Sequence, residues 1–253
     1  MAKLAKNDFK TRYAGSYLGI VWAFIQPVIT ILVYWFVFSV GFRSGTGDLG
    51  VPFVLYLVAG IVPWFFFQDA LVGGTNALLE YNYLVKKVVF NISVLPVVKI
   101  ISALFVHGFF VVFTIILYAF YGRFPDWYYL QILYYSICVF ILSLSLVYIS
   151  CAVVVFFRDL TQIINIGLQV GVWLTPIMWV ADTALKDHPL IQKILQLNPM
   201  YYIVSGYRDA FVVKRWFFER PLWTLYFWLF TLVCFCFGNW VFKRLRIHFA
   251  DVL

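Results

Sequence analysis

The feature that most constrains this chain is a series of six apolar stretches, each about long enough to cross a lipid bilayer. A bilayer core of roughly 30 Å requires about 20 apolar residues in helical conformation. Charged residues make up 12% of the 253 residues, against about 25% in ordinary soluble domains. We therefore predict an all-α integral membrane protein with six transmembrane helices. The predicted spans are Leu18–Phe42, Pro52–Val72, Pro96–Tyr121, Trp127–Phe157, Leu160–Val180 and Pro221–Phe242.

The segments outside the spans predict the rest of the topology. Residues 1–17 are basic and polar, which is typical of an interfacial helix on anionic headgroups. Residues 181–220 contain two apolar stretches too short to cross, so we expect short re-entrant helices at the outer leaflet. The Lys and Arg residues beside the spans favour cytoplasmic N and C termini. No cleavable signal peptide and no second domain are predicted, so residues 1–253 form a single membrane domain.

The fifth predicted span has two chemically different faces. At 100° per residue, Gly167 and Gly171 lie on one side, with the Gly-x-x-x-Gly spacing that lets a neighbouring helix approach closely. Amides and an indole lie within an arc of roughly 80° on the other side. That face either lines a polar pathway or bonds to adjacent helices, and the spacing alone leaves both interpretations open. Its residues are Gln162, Asn165, Gln169 and Trp173.

Two other spans contain candidate functional residues. In the first span, Phe24, Tyr34 and Phe38 lie on one face, and Pro27 interrupts the helical hydrogen bonding. An aromatic face can stack on sugar rings, although an aromatic stripe at helical spacing is also common in packing. His107 lies near the middle of the third span and is either a proton relay or a hydrogen-bonded packing residue.

The sequence predicts no catalytic residues, no metal site and no cofactor bound by this chain. It contains neither a G-x-x-x-x-G-K-[ST] phosphate loop nor an H-E-x-x-H zinc motif. We therefore predict that the chain is not an enzyme by itself, hydrolyses no ATP and binds no nucleic acid. All four cysteines lie inside predicted spans, where packing is their expected role. They are Cys138, Cys151, Cys234 and Cys236.

Five separated motifs occur in order along almost the whole chain, namely DFKTRYAGSYLGIVWAFIQPV, LVKKVVFNISVLPVVKI, FRDLTQIINIGLQVGVWLTPIMW, NPMYYIVSGYRDAF and FADVL. Together they resemble the transmembrane permease subunit of ABC-type exporters of lipid-linked polysaccharides. That family exports O-antigens, capsular polymers and wall teichoic acids. Two stretches, VYWFVFSVGFRSG and GIVPWFF, look closest to the teichoic-acid members, so that polymer is slightly preferred.

The resemblance implies partners and a location. It implies a homodimer of this chain in the bacterial cytoplasmic membrane, with two copies of a cytosolic ABC ATPase that binds ATP and Mg. Residues 80–95 would be the cytoplasmic coupling segment that contacts the ATPase, and residues 181–220 would form outer gate helices. The segment has Phe90-Asn91 where many relatives have Phe-Pro. The coupling candidates are Tyr83, Lys86, Lys87 and Phe90.

The resemblance also assigns roles to individual residues. The first and fifth spans would border the channel for the polymer. Cations near the headgroup plane would bind the undecaprenyl-pyrophosphate end of the substrate. The channel candidates are Phe24, Tyr34, Phe38, Gln162, Asn165, Gln169 and Trp173. The pyrophosphate candidates are Lys6, Lys10, Arg12 and Arg208.

Two other classes of protein stay open at this stage. A membrane enzyme acting on lipid-linked sugars would use Asp69, His107 and Asp209, which are predicted at different depths. An ion-coupled carrier would show gradient-dependent transport without an ATPase.

Overall fold

The computed structural model describes residues 2–42, 50–85 and 91–252, and every regular element within these ranges is helical. A π-helical turn continues α2 through Phe36–Gly41, and another continues α11 through Asp209–Val213. In chain order the α-helices are α1 (Ala2–Arg12), α2 (Trp22–Trp35), α3 (Phe53–Thr75), α4 (Ala77–Glu80), α5 (Asn82–Val85), α6 (Val94–Phe120), α7 (Leu130–Val154), α8 (Leu160–Leu174), α9 (Ala181–Ala184), α10 (Pro189–Gln196), α11 (Pro199–Arg208), α12 (Pro221–Leu245) and α13 (Phe249–Val252).

Helix α3 forms the centre of the bundle. It is apolar on all sides, and 18 of its 23 residues are buried, as expected for a helix enclosed by other helices. Helices α2, α6, α7, α8 and α11 all pack against it. Thr75 Oγ1 and Ser150 Oγ lie 2.7 Å apart and join α3 to α7, while Tyr118 Oη donates to the Leu55 carbonyl from α6. These bonds satisfy polar groups that would otherwise be buried without partners.

Within the described ranges, five helical stretches are long and apolar enough to cross a bilayer. They correspond to the first, second, third, fourth and sixth predicted spans. The predicted fifth span is α8, which has 15 residues and is therefore about 22 Å long at 1.5 Å per residue. The stretches are Gly19–Gly41, Phe53–Thr75, Val94–Phe120, Trp127–Val154 and Pro221–His248.

The predicted end of the fifth span at Val180 is wrong, because α8 ends at Leu174. Thr175 precedes a proline and has an extended backbone, with φ −87° and ψ 119°. The proline ring disfavours helical geometry in the preceding residue and removes one N–H donor. The chain therefore leaves the helix at Thr175-Pro176, although the residues that follow are still apolar and buried.

Both ends of helix α11 form hydrogen bonds to the chain directly after α8. At its start, the Asn198 side chain accepts a bond from the Met200 N–H and donates to Thr175 Oγ1. At its last residue, Arg208 donates from Nη1 to the Pro176 carbonyl at 2.6 Å and from Nη2 to the Ile177 carbonyl at 2.7 Å. Backbone carbonyls outside a helix are satisfied in this way inside an apolar bundle.

The segments 1–17 and 181–220 both contain helices, and their positions relative to the membrane stay predictions. Residues 1–17 were predicted as one interfacial helix; the helix is α1 and ends at Arg12. Its Phe9 packs on Phe105 of α6, with ring centroids 5.9 Å apart. The segment 181–220 contains the short helices α9, α10 and α11, of which α11 is buried and α10 is largely exposed. Their re-entrant depth in the membrane stays a prediction.

We expect Arg208→Lys to destabilise the fold. A single ammonium cannot reproduce the fork that bonds the carbonyls of Pro176 and Ile177, so one buried carbonyl loses its partner, at a cost of about 1–3 kcal/mol. Denaturant titration of the purified chain in micelles measures the change. The matched control is Arg123→Lys, because Arg123 donates to the Gly50 carbonyl at an exposed site. Equal stability of the two variants would contradict the role given to Arg208.

Candidate functional site

A cavity of about 470 Å³ lies between α2, α3, α6 and α8, and we call it the central cavity. Its α2 wall contains Ala23 and Pro27, four residues apart. Because proline has no N–H, the Ala23 carbonyl loses its usual helical partner at this wall. The cavity therefore forms where α2 packs loosely on α3, and only two residues of α2 are buried, Ala23 and Ile31.

Amide and hydroxyl groups line much of the central cavity. Gln26 and Thr30 lie one turn apart on α2, and Thr30 Oγ1 donates to the Gln26 carbonyl at 3.0 Å. Asn165 and Gln169 face them from α8, and Gln68 lies on α3. Each side-chain amide offers both donors and acceptors. Such a wall can bond to a ligand that carries many hydroxyl groups.

Aromatic rings complete the wall, and a glycine positions one of them. Trp64 of α3 packs on α8 at Gly171, where an added Cβ would lie 2.9 Å from the indole Cη2 atom. The close contact that the sequence predicts at Gly171 is therefore made by the Trp64 side chain of the same polypeptide. A Cβ added at Gly167, one turn earlier, would meet no atom within 4 Å from any other part of the chain that the structure describes. Tyr34 also lines the cavity and is partly exposed.

The end of α1 borders the cavity and carries an ion pair. Tyr13 lines the cavity directly after α1 ends. Arg12 Nη1 donates to both carboxylate oxygens of Asp69, at 2.7 and 2.9 Å, and Asp69 is itself a lining residue. The carboxylate at the cavity wall thus has its counter-ion in α1, at a position 57 residues away in the chain.

A second, more deeply buried charge cluster ties α1 to α6. Lys99 of α6 lies 2.7 Å from Asp8 Oδ1 and 2.5 Å from Glu80 Oε2, and its side chain is 5% exposed. Tyr81 Oη also donates to Asp8. Burial raises the pKa of Asp8, but hydrogen bonds from Lys99 and Tyr81 outweigh it, so the pKa of Asp8 lies below its ordinary value. Asp8 is therefore ionised at neutral pH.

The structure brings together some of the predicted channel residues and separates others. Tyr34, Asn165 and Gln169 line the central cavity. The remaining four predicted residues do not line it. Phe24 packs on Phe109 of α6 with ring centroids 4.4 Å apart, Phe38 and Trp173 pack on each other at 6.4 Å, and Gln162 is exposed.

Among the amide and hydroxyl residues of the cavity, the sequence analysis did not propose Gln26, Thr30, Gln68 and Tyr13. The positions of Gln26 and Thr30 could have been predicted from the sequence, because polar residues four apart on an otherwise apolar helix lie on one face. Those of Gln68 and Tyr13 could not, since only the packing of α1 and α3 places them at the cavity.

The predicted pyrophosphate cations lie in different surroundings. Lys6 and Lys10 are exposed on α1 and make no ion pair with any described residue. Arg12 is occupied by Asp69. Arg208 is 7% exposed, binds two backbone carbonyls and lies over the Tyr56 ring at 3.6 Å, so it holds the fold at a buried position and not at a headgroup surface.

Of the coupling candidates, only Tyr83 lies within the described ranges, and it is exposed. The other three, Lys86, Lys87 and Phe90, lie outside the described residues. The segment's first residue, Glu80, is joined to α6 through Lys99.

The three ionisable residues of the enzyme alternative each have their own partners. His107 Nε2 lies 2.9 Å from Tyr207 Oη and 3.1 Å from Ser136 Oγ in a buried position. Asp69 pairs with Arg12, and Asp209 pairs with Arg220. These separate contacts do not form one constellation of nucleophile, base and acid. No group of three potential metal ligands occurs among the residues that the structure describes.

Comparison with known proteins gives one family and several relatives. Residues 2–212 match the ABC-2 type transporter family. The chain is 29% identical to the O-antigen export system permease protein RfbA of Myxococcus xanthus, over 99% of this chain and 94% of that protein. Two permeases of the same name from Klebsiella pneumoniae are 24% and 25% identical, each over 99% of this chain and 93% of the relative.

We expect Lys99→Met to destabilise the protein, because it leaves the Asp8 carboxylate buried without a cation. Loss of one partner of a buried ion pair costs about 3–5 kcal/mol. Adding Asp8→Asn to the same chain should restore most of the lost stability in denaturant titrations. Lys6→Met is the matched control, since Lys6 is exposed on the same helix as Asp8. A Lys99→Met variant as stable as the control would show that the pair does not hold α1.

Proposed function

The chain belongs to the ABC-2 type transporter family, and we propose that it is the permease subunit of an ATP-driven exporter of cell-surface polysaccharide. The three relatives are all named as O-antigen export permeases and align over nearly their full length. Five helices long enough to cross a bilayer suit a multi-pass protein of the cytoplasmic membrane. The proposed topology has cytoplasmic N and C termini, which requires an even number of crossings, so α8 and the apolar chain that follows it make the remaining crossing in this proposal.

The central cavity is the observation that carries this proposal. Its wall combines amides, hydroxyls and aromatic rings, which match the hydroxyl groups and the apolar faces of sugar rings. The one carboxylate among its lining residues, Asp69, is neutralised by Arg12. A cavity of this kind can bind a neutral sugar chain at many points without holding any one unit tightly.

An O-antigen is the first candidate polymer, because the relatives carry that name. A capsular polysaccharide or a wall teichoic acid is the alternative within the same family, and the teichoic-acid preference rests on sequence resemblance alone. We propose that the polymer is linked to undecaprenyl pyrophosphate. Lys6 and Lys10 are the better-placed cations for that group, because Arg12 and Arg208 are engaged elsewhere.

The proposed complex contains two copies of this chain and two cytosolic ABC ATPase subunits that bind ATP and Mg. Residues 80–95 would contact the ATPase. Glu80 at the start of this segment reaches α1 through Lys99 and Asp8, and α1 reaches the cavity through Arg12 and Asp69. A displacement of the segment would therefore move the border of the cavity. The exposed faces of α2 and α8 are available for the second copy.

The function is tested by depleting the protein in its host and analysing the surface polymer. We expect a lipid-linked polysaccharide to accumulate inside the cell and its surface form to disappear, with recovery when the wild-type gene is restored. The phosphate content of the accumulated polymer separates a teichoic acid from an O-antigen. Unchanged surface polysaccharide after depletion would contradict the proposal.

We expect Tyr34→Ala to slow export while ATP turnover by the assembled complex continues, because the ring lies in the cavity wall and far from any nucleotide. One aromatic contact is worth about 0.5–1.5 kcal/mol, which corresponds to about a two- to twelve-fold change. Export is measured as polymer transferred to the surface, and turnover as phosphate released by the purified complex. Tyr121→Ala is the matched control, because Tyr121 is exposed and lies outside the cavity. Equal export by both variants would remove Tyr34 from the pathway.

A further inference from the structure

A second cavity, of about 440 Å³, lies at the opposite end of α3 from the Arg12–Asp69 pair. Tyr56 lines it near the start of α3, and Asp69 lies 13 residues later, about 20 Å along the helix axis. The other walls come from the chain after α8, from α11 and from the start of α12. In the proposed topology this is the outer side of the membrane.

The second cavity has an aromatic wall. Trp223 and Tyr201 lie edge to face with ring centroids 5.7 Å apart, and the Arg220 guanidinium lies 5.2 Å from the Trp223 ring centroid. These contacts fix the orientation of the indole, which is only partly buried. The negative face of an aromatic ring attracts the weakly positive C–H groups of a sugar ring.

Acidic and basic groups both line the second cavity. Asp182 and Asp209 are the acids, and Arg215 and Arg220 are two of the bases. Arg220 contacts Asp209 only at 3.3 Å, longer than the 2.7–2.9 Å of a strong charge-assisted bond. The Arg215 guanidinium has no hydrogen-bond or ion-pair partner among residues 2–42, 50–85 and 91–252. Asp182 Oδ1 accepts from Gln192 Nε2 at 2.6 Å, so Asp182 Oδ2 is the acceptor and the Arg215 guanidinium the donor that remain available to a ligand.

This combination favours a neutral polyhydroxylated ligand over an anion. A sugar hydroxyl both donates to a carboxylate and accepts from a guanidinium. Three arginines and two aspartates line the wall, but Arg208 is bound to two backbone carbonyls and Arg220 to Asp209. A phosphate would therefore gain mainly from Arg215 and would be repelled by Asp182 and Asp209.

The two cavities lie one after the other along α3, with α8 lining the central cavity and the chain after α8 lining the second, and no residue lines both. Arg208 stands between them, since its guanidinium passes Gly60 and bonds the carbonyls of Pro176 and Ile177. An added Cβ at Gly60 would lie 2.8 Å from Arg208 Nη2. The absence of a side chain at Gly60 of α3 therefore leaves the space that the Arg208 guanidinium occupies between the two cavities.

We propose that the second cavity is a carbohydrate subsite, in which a neutral sugar unit of the exported polymer stacks on Trp223 and bonds to Asp182 and Arg215. The proposal rests on the proposed function, and it places a sugar contact beyond the Arg208 partition on the exit side. It adds a site that is separate from the central cavity.

Saturation-transfer NMR on the full chain in lipid nanodiscs tests the subsite, since nanodiscs avoid detergents with sugar headgroups. The probes are glucose, galactose, mannose, rhamnose and N-acetylglucosamine. We expect at least one of them to receive saturation from the wild-type chain and Trp223→Leu to weaken its binding about two- to twelve-fold. Asp182→Asn should weaken it as well, through a lost acceptor of hydroxyl bonds.

Two controls locate the signal within the molecule. Trp216→Leu removes an indole next to α12 that does not line the second cavity, and Tyr121→Ala removes an exposed ring that lines neither cavity. Both should bind the sugar as the wild type does. The proposal is overturned if no probe binds, if Trp223→Leu binds normally, or if inorganic phosphate displaces the sugar and binds more tightly. If the NMR test fails but depletion of the protein still removes the surface polysaccharide, only the subsite is rejected. If depletion leaves the surface polysaccharide unchanged, the proposed function itself is rejected.

Discussion

The forked hydrogen bond from Arg208 to the carbonyls of Pro176 and Ile177 is the interaction on which the rest of this structure depends. Helix α8 has 15 residues and is therefore shorter than a bilayer core is thick, and the chain after it has no helical partners for its backbone. An apolar environment gives such groups no water, so another part of the protein must bond them. Arg208 does so while stacking on Tyr56, and it thereby joins α11, the end of α8 and the start of α3.

Packing around α3 explains why the molecule holds cavities at all. Helices α6 and α7 contact α3 along much of its length, and the residues between them are buried. Helices α2 and α8 contact it less, and Trp64 keeps α8 at the distance set by its indole ring at Gly171. The central cavity lies in the space left between them. Its polar lining is tolerated because the cavity can hold water or a hydroxylated ligand.

The ion pairs of the described residues gather at two ends of the bundle. One end has the Arg12–Asp69 pair and the Asp8, Lys99 and Glu80 cluster, and the other has Lys214 with Asp126 and Arg220 with Asp209. This separation suits a bilayer, whose centre strongly disfavours charge. It also gives the two cavities different chemistry, because amides and aromatic rings dominate the central one while acids and bases line the second.

The sequence by itself determined the helical membrane class, five helices long and apolar enough to cross a bilayer, and the family, because apolar length, helical periodicity and motifs are local properties. Of the seven predicted channel residues, three line the central cavity, and their role in a channel stays a prediction. The sequence also contained the signal that ends α8, since Pro176 restricts Thr175, although the predicted span continued to Val180. The tertiary structure alone decided which polar groups meet. Arg12 and Asp69 are 57 residues apart, and Arg208 and Pro176 are 32 apart. Only the packing of α1 and α11 against α3 and α8 brings Arg12 to a carboxylate and Arg208 to two backbone carbonyls.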